Sequence, residues 1–349
     1  MRYLDVENIR RLNIDVNSVC NAACPGCARQ QSVIYKSNNY DKNKHLEMST
    51  WKRLLDNPMK GLEAFTFCGN YGDAAATHYL PELIEYAQKI YPNAEFFVVS
   101  NMGLGSEEFW RKLSMMDNVY FTVSIDGMSE TNHLYRRFVR WDLVEKNLRI
   151  IAQGKAKITW KYIIFEWNKH ELESARALAE ELNLDRFIPM PNNQPWLEKD
   201  WMQHNTKDYW NDPKSMKDAQ RHADLTVEEY KEKHGVKYDY IDCLARTDRN
   251  IHIDWQGNIY PCCWYGGAAF SPDHNYINEF YSQFPTGNWN NINQHSLKEI
   301  LDHDFFSQKL CNSWKDNPSV TCTQICGKVN DKWNNINSFR QEKEVRVQS

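Results

Sequence analysis

Three closely spaced cysteines are the part of this sequence best suited to chemistry. Cys20, Cys24 and Cys27 follow one another as Cys-x3-Cys-x2-Cys. Three thiolates on one tight loop can bind three corners of an iron–sulfur cluster and leave the fourth iron without a protein ligand. An iron with an open coordination position predicts a reactive site. The alternative is part of a zinc site, for which this loop supplies only three of the usual four ligands.

A second group of cysteines lies near the other end of the chain. Gly257 marks a tight turn between two strand-like segments, and the resulting hairpin can bring Cys243 close to Cys262. Cys322 and Cys326 form a further pair. Four such thiols suit either an iron–sulfur cluster or a structural zinc ion.

Composition narrows the class of protein. The 349 residues carry a formal charge of -4, which gives no electrostatic case for binding nucleic acid or an anionic membrane. We find neither a signal peptide at the N-terminus nor an apolar run long enough to span a membrane. A soluble, cytoplasmic protein is expected, in which the ten cysteines bind cofactors rather than form disulfides.

The first half of the chain alternates strand-like and helix-like segments. Six successive β/α units predict a parallel sheet covered by helices, and six are too few to close an eight-stranded barrel. The fold class is therefore α/β, a partial (β/α)6 TIM-like barrel, followed by a small cysteine-rich α+β domain with a β-hairpin. Ligands should bind at the C-terminal ends of the strands. The predicted strands are Leu12–Val16, Ala64–Cys68, Phe96–Ser100, Val119–Ile125, Ile158–Phe165 and Arg186–Ile188.

The cysteine spacing followed by six β/α units resembles the radical S-adenosylmethionine (SAM) superfamily. The resemblance implies a [4Fe-4S] cluster on Cys20, Cys24 and Cys27, with SAM chelating the fourth iron. It also implies reductive cleavage of SAM to a 5′-deoxyadenosyl radical that abstracts hydrogen from a substrate. An external one-electron reductant of the flavodoxin or ferredoxin type is then required.

Polar segments at successive strand ends extend this resemblance. The segments that begin at Gly69, Ser100 and Ser124 resemble the family's glycine-rich, Thr-Asn-Gly and Ser-Leu-Asp-Gly motifs. Hydroxyl, amide and carboxylate groups suit a ribose, and an arginine suits the methionine carboxylate. Taken singly, each segment is more often an ordinary turn or strand cap. The residues implied in cofactor binding are Gly69, Asn70, Tyr71, Ser100, Asn101, Ser124, Asp126, Arg136 and Asn168.

One position departs from the family pattern. An aromatic residue usually precedes the third cysteine and packs near the adenine, whereas Gly26 stands here. Packing against the adenine must therefore come from elsewhere.

The C-terminal cysteines resemble the SPASM domain, or the shorter twitch domain, of radical SAM enzymes. The pattern is Cys-x13-Gly-x4-Cys followed by Cys-x3-Cys. It implies one auxiliary [4Fe-4S] cluster on the ligands Cys243, Cys262, Cys322 and Cys326. Cys263 adjoins the ligand Cys262 and is not assigned as a ligand. Cys311 follows a predicted helix, Ser296–Leu310, and stays open as a ligand in place of one of the four.

These assignments divide the chain into a radical SAM barrel (1–190), a linker with inserted helices (191–242), an auxiliary-cluster domain (243–335) and a tail (336–349). The short N-terminus slightly favours a small substrate, such as a sugar, nucleoside or amino-acid derivative, over a peptide. The alternative is a peptide- or protein-modifying maturase. An alternative of another class is a non-catalytic electron carrier or a zinc-binding interaction protein. No catalytic acid or base is assigned; Tyr71, Asp73, His78 and His133 are nearby candidates.

Overall fold

The computed structural model describes residues 2–27, 29, 44–192, 239–268 and 284–328. The predicted linker from residue 193 to residue 238 and the tail at 336–349 lie outside these residues. The strands are β1 Arg11–Asp15, β2 Ala64–Cys68, β3 Glu95–Ser100, β4 Val119–Ser124, β5 Lys157–Ile164, β6 Arg186–Pro191, β7 Tyr240–Ile241, β8 Asn250–Ile253, β9 Ile259–Tyr260 and β10 Gly327–Lys328.

Helices connect the strands of the first half and continue into the second. They are α1 Met48–Leu55, α2 Leu80–Ile90, α3 Glu107–Ser114, α4 Asn132–Tyr135, α5 Trp141–Ile151, α6 Leu172–Glu181, α7 Leu244–Thr247, α8 Cys263–Ala268, α9 Leu297–Asp302, α10 Leu310–Asp316 and α11 Val320–Cys326. Among the described residues, no helix is long and apolar enough to cross a membrane.

One sheet organises the molecule, in the order β6-β5-β4-β3-β2-β1-β8-β9. The first six strands are parallel neighbours in chain order, which confirms the predicted succession of β/α units. Five of the six predicted strands agree with the structure to within one residue at each end, and β6 extends further. Adjacent parallel strands place all their C-terminal ends along one edge of the sheet.

The two faces of this sheet differ in chemistry. Side chains such as Leu12, Ile14 and Phe67 are fully buried on the face that the helices cover. The opposite, inner face carries half-buried residues, among them Asn13 and Thr66, which lie side by side in register on β1 and β2. Because successive side chains of a strand point to opposite faces, this alternation separates a hydrophobic core from a more polar inner surface.

The predicted C-terminal hairpin is present and extends the barrel sheet. Strand β8 pairs in parallel with β1, and β9 pairs antiparallel with β8. Gly257 has a φ of +88° in the connecting turn, a conformation that favours glycine. The Asp254 carboxylate accepts the backbone N–H groups of Gln256 and Asn258, both at 2.9 Å. The hairpin is thus both a part of the C-terminal segment and the edge of the barrel.

The helix predicted over Ser296–Leu310 is wrong as a single element. It begins at a capping box formed by Ser296 and Glu299, but α9 ends at Asp302. His303 adopts an extended ψ of 144°, and a π-helical turn, Phe305–Lys309, precedes α10. The break directs both Phe305 and Phe306 into the core, where they are at most 2% exposed. Burial of two adjacent aromatic rings outweighs the continuity of one helix.

Candidate active site

The loop with the first three cysteines follows β1 and is held by its neighbours. Cys24 is buried, and Cys20 and Cys27 are half-buried. The backbone N–H of Asp73, after β2, donates to Val19 O at 2.7 Å. The N–H of Ala23 donates to Arg137 O at 3.1 Å. Loops after two other strands therefore fix the conformation of the cysteine loop.

Two of the residues implied in cofactor binding donate hydrogen bonds to these thiols. Asn101 Nδ2 lies 3.6 Å from Cys20 Sγ and 3.0 Å from Asn21 Oδ1. Arg136 Nη1 lies 3.7 Å from Cys24 Sγ. The structure thus brings the ends of β3 and β4 to the cysteine loop, although the three sites are distant in sequence.

Burial acts against ionisation of Cys20 and Cys24. It raises the pKa of the Cys20 thiol to about 12 and also raises the pKa of Cys24, where the nearby Arg136 opposes the shift. Thiolates in such a position need a compensating positive charge. A bound iron–sulfur cluster provides it, so the donor set fits this cofactor.

Asp73 joins the loops after β2 and β3. One of its carboxylate oxygens accepts the Ser100 hydroxyl at 2.8 Å and the Ala75 N–H at 2.9 Å. The other accepts the Asn101 N–H at 2.7 Å. Burial raises the pKa of Asp73, and these hydrogen bonds oppose the shift. Asp73 and Ser100 therefore position Asn101 for its contact with Cys20.

Asp126 performs a similar task for Arg136. Asp126 is fully buried, and its carboxylate accepts Arg136 Nε at 2.6 Å and the Ile163 N–H at 2.7 Å. Asn168 donates to the carbonyls of Asp126 and Ile163 at 3.0 and 2.9 Å and accepts the Phe165 N–H at 2.7 Å. Its amide is therefore engaged in joining the ends of β4 and β5. Ser124 is half-buried at the end of β4.

The loop Gly69–Asp73 faces the C-terminal segment as well as the cysteines. Gly69 is required because a Cβ there would lie 1.8 Å from Gly72 O. The Tyr71 hydroxyl donates to Gly267 O at 2.8 Å, on α8. Asn70 is bound by Asp15, a residue that the sequence analysis missed. The available signal was its carboxylate at the end of an otherwise ordinary strand.

The structure brings together the four cysteines predicted to hold an auxiliary cluster. A hydrogen bond to Cys326 is the main cause that raises the pKa of Cys243, followed by burial. Burial raises the pKa of Cys262, and Cys322 and Cys326 are close enough to add to the shift. Cys311 is buried on α10, where burial raises its pKa and the charge of Arg246 opposes the shift.

The described thiols are less closely grouped than the ligands of a single zinc ion. Zinc–sulfur bonds of about 2.3 Å place ligand sulfurs roughly 4 Å apart. Within the described part of the chain, no three cysteines place their sulfurs within 4.8 Å of one another. A cluster spreads its thiolate ligands over separate irons, which suits a wider arrangement.

Comparison with known families decides the assignment. Residues 14–179 match the model of the radical SAM superfamily. The chain belongs to this superfamily. Residues 243–327 match the SPASM model, described as an iron–sulfur cluster-binding domain. The protein is therefore a radical SAM enzyme that uses a [4Fe-4S] cluster and SAM and carries auxiliary iron–sulfur chemistry in its SPASM domain.

Solved structures support the fold of this radical SAM enzyme. SuiB of Streptococcus suis, bound to the precursor peptide SuiA, is 14% identical with a TM-score of 0.56, and the alignment covers 90% of this chain and 68% of SuiB. The protein anSMEcpe with bound AdoMet is 16% identical with a TM-score of 0.51, covering 86% of this chain and 80% of anSMEcpe. At these identities the likeness concerns the fold alone. No curated protein matches the sequence.

Proposed function

We propose that this radical SAM enzyme binds its cluster through Cys20, Cys24 and Cys27 and abstracts hydrogen from a polar substrate on the inner face of the barrel. The observation that carries the assignment is the convergence of Asn101 and Arg136 on the cysteine sulfurs. When bound, the cluster and SAM supply the hydrogen-abstracting radical after a flavodoxin or ferredoxin delivers one electron.

The chain's own residues prepare this site. Asp126 orients the Arg136 guanidinium so that Nη1 reaches Cys24, and an arginine oriented in this way suits the carboxylate of methionine. Asp73 holds the backbone of Asn101, whose side chain then reaches Cys20. Rigid placement by buried carboxylates reduces the reorganisation needed when the cofactor binds.

The inner face of the barrel supports a polar substrate. Half-buried polar side chains lie beside one another in register on β4 and β5, namely Thr122 beside Thr159 and Ser124 beside Lys161. Hydroxyl and ammonium groups can hydrogen-bond to a sugar, a nucleoside or an amino-acid derivative. These residues favour a small polar substrate.

A peptide substrate is the second candidate. The solved structures most relevant here include SuiB with a bound precursor peptide and anSMEcpe with bound AdoMet and a Kp18Cys peptide. In either case we assign one auxiliary cluster to Cys243, Cys262, Cys322 and Cys326, which assists by taking an electron from the substrate.

Anaerobic reconstitution tests the proposal. Dithionite-reduced protein should release 5′-deoxyadenosine from SAM, and Asn101→Ala should lower that rate by at least about tenfold, as expected when a charge-assisted hydrogen bond is lost. Arg111→Ala should retain basal SAM cleavage, because Arg111 forms an exposed ion pair with Glu107 on α3, away from the site. Colourless, zinc-containing protein that leaves SAM intact would contradict the proposal. Stimulation of cleavage by polar small molecules or by peptides distinguishes the two substrate classes.

A further inference from the structure

A buried pair of side chains, Asp15 and His252, lies between the barrel and the SPASM segment. Asp15, at the end of β1, is 1% exposed. Its carboxylate accepts the Asn70 backbone N–H at 3.0 Å and Asn70 Nδ2 at 3.2 Å. On its other side, His252 Nε2 lies 3.3 Å from Asp15 Oδ2. One carboxylate therefore binds both the loop after β2 and a residue of β8.

The orientation of His252 is fixed by its surroundings. His252 is 1% exposed, and its Nδ1 has no hydrogen-bond partner among the described residues. Nε2 is therefore the ring nitrogen that faces Asp15, at 3.3 Å from Oδ2. A Cβ on Gly266 would lie 2.8 Å from His252 Cδ2, so α8 packs directly against the imidazole.

Helix α8 connects this pair with the auxiliary cysteines. Gly266 N–H donates to Cys262 O at 3.0 Å in the first turn of the helix. The next residue, Gly267, accepts the Tyr71 hydroxyl. The loop Gly69–Asp73 is thus tied to the SPASM segment twice, once through Asp15 and His252 and once through Tyr71.

We propose that Asp15 and His252 are positioning residues that hold the loop Gly69–Asp73 in its SAM-binding conformation and so make SAM affinity depend on the SPASM segment. The inference rests on the proposed function, because it takes this loop as a SAM contact. Loss of Asp15 removes the acceptor that anchors Asn70. Loss of His252 leaves the buried Asp15 carboxylate without its polar contact to β8, so it holds the loop less rigidly. Neither side chain needs to touch SAM for this effect.

The test measures SAM binding to the reconstituted protein, through the change that SAM causes in the electron paramagnetic resonance spectrum of the reduced cluster. Asp15→Asn and His252→Leu should each weaken SAM binding about tenfold, the effect of losing one polar contact to a charged group. His252→Gln keeps a donor and should bind SAM within about twofold of wild type. The KM for SAM should rise while kcat at saturating SAM stays near the wild-type value.

A matched control separates positioning from general damage to the hairpin. Asp254 is also a buried aspartate of this hairpin, yet its carboxylate caps the turn and does not contact the loop Gly69–Asp73. Asp254→Asn should therefore leave the dissociation constant for SAM unchanged. The double variant Asp15→Asn/His252→Leu should bind SAM no more weakly than Asp15→Asn alone, because both changes remove the same anchor.

Several results would overturn the inference. One is that folded, iron-replete Asp15→Asn and His252→Leu bind SAM with wild-type affinity. Another is that Asp254→Asn weakens SAM binding as much as they do. If Asp15→Asn does not fold, the contrast between His252→Leu and His252→Gln decides. Wild-type protein that fails to bind SAM would overturn the proposed function as well, whereas binding by wild type with unaffected variants overturns the inference alone.

Discussion

Replacement of Arg136 by alanine tests the electrostatic design of the site. Asp126 is fully buried, and the side chain of Arg136 is 18% exposed, so the ion pair of 2.6 Å is shielded from solvent. Removing one partner of a buried pair leaves an uncompensated charge, which costs about 3–5 kcal/mol. For a chain of this size roughly 2 °C is lost per kcal/mol, so Tm should fall by roughly 6–10 °C.

The loss should depend on pH in a defined direction. Burial raises the pKa of Asp126, and Arg136 opposes that rise, so Arg136→Ala should raise the pKa further. The folded state then keeps a proton that the unfolded chain releases above about 3.8, the ordinary value for an aspartate. Stability must fall as pH increases from this value towards the raised pKa. The deficit in Tm relative to wild type should therefore be larger at pH 8 than at pH 5.5.

Two further variants isolate the cause. Arg136→Ala/Asp126→Asn removes the buried charge and should recover most of the lost Tm, but not SAM cleavage. Arg140 is an exposed arginine that pairs with Asp142, and Arg140→Ala should cost less than about 1 kcal/mol. Differential scanning calorimetry of the three proteins gives the comparison. The reasoning is refuted if Arg136→Ala unfolds within about 2 °C of Arg140→Ala, or if Asp126→Asn gives no recovery.

Three other predictions concern the clusters and the loops. Iron analysis should find roughly eight irons per chain in the wild-type protein and about half that number in Cys322→Ala. Cys311→Ala should keep the wild-type iron content, and loss of iron from this variant would show that Cys311 is a ligand. Gly257→Ala places an alanine in the left-handed backbone region, with its Cβ 2.9 Å from Asn293 Nδ2. Thermal unfolding should show a loss of about 1–2 kcal/mol in the free energy of unfolding. Glu171 accepts the Met128 N–H at 2.8 Å and the Thr131 hydroxyl, so Glu171→Ala should cost about 2 kcal/mol, and a change below about 0.5 kcal/mol would contradict this assignment.

Features governed by local rules could be predicted from the sequence. The cysteine spacing indicates an iron–sulfur loop because it depends only on a few neighbouring residues. Alternating and helical hydrophobic patterns predicted the boundaries of five strands to within one residue, because these periods reflect which face of an element is buried. The glycine of the turn predicted the hairpin of β8 and β9, because turn geometry also depends on a few neighbouring residues.

Contacts between distant segments required the tertiary structure. The pairing of β8 with β1, the donors to Cys20 and Cys24, and the Asp15–His252 pair join residues that are far apart in the chain. A single polar residue at a strand end has no period, and its partner depends on which strands become neighbours. The break at His303 likewise depends on the burial of Phe305 and Phe306 against other elements.

The sequence by itself determined the superfamily, the succession of strands and the cysteines with the spacing of cluster ligands. The tertiary structure decided which carboxylates orient Asn101 and Arg136, and that the SPASM hairpin forms the edge of the barrel. The physical reason is that a buried charge or thiol is stabilised only by the groups that packing brings to it. Those groups come from segments that local sequence rules do not relate.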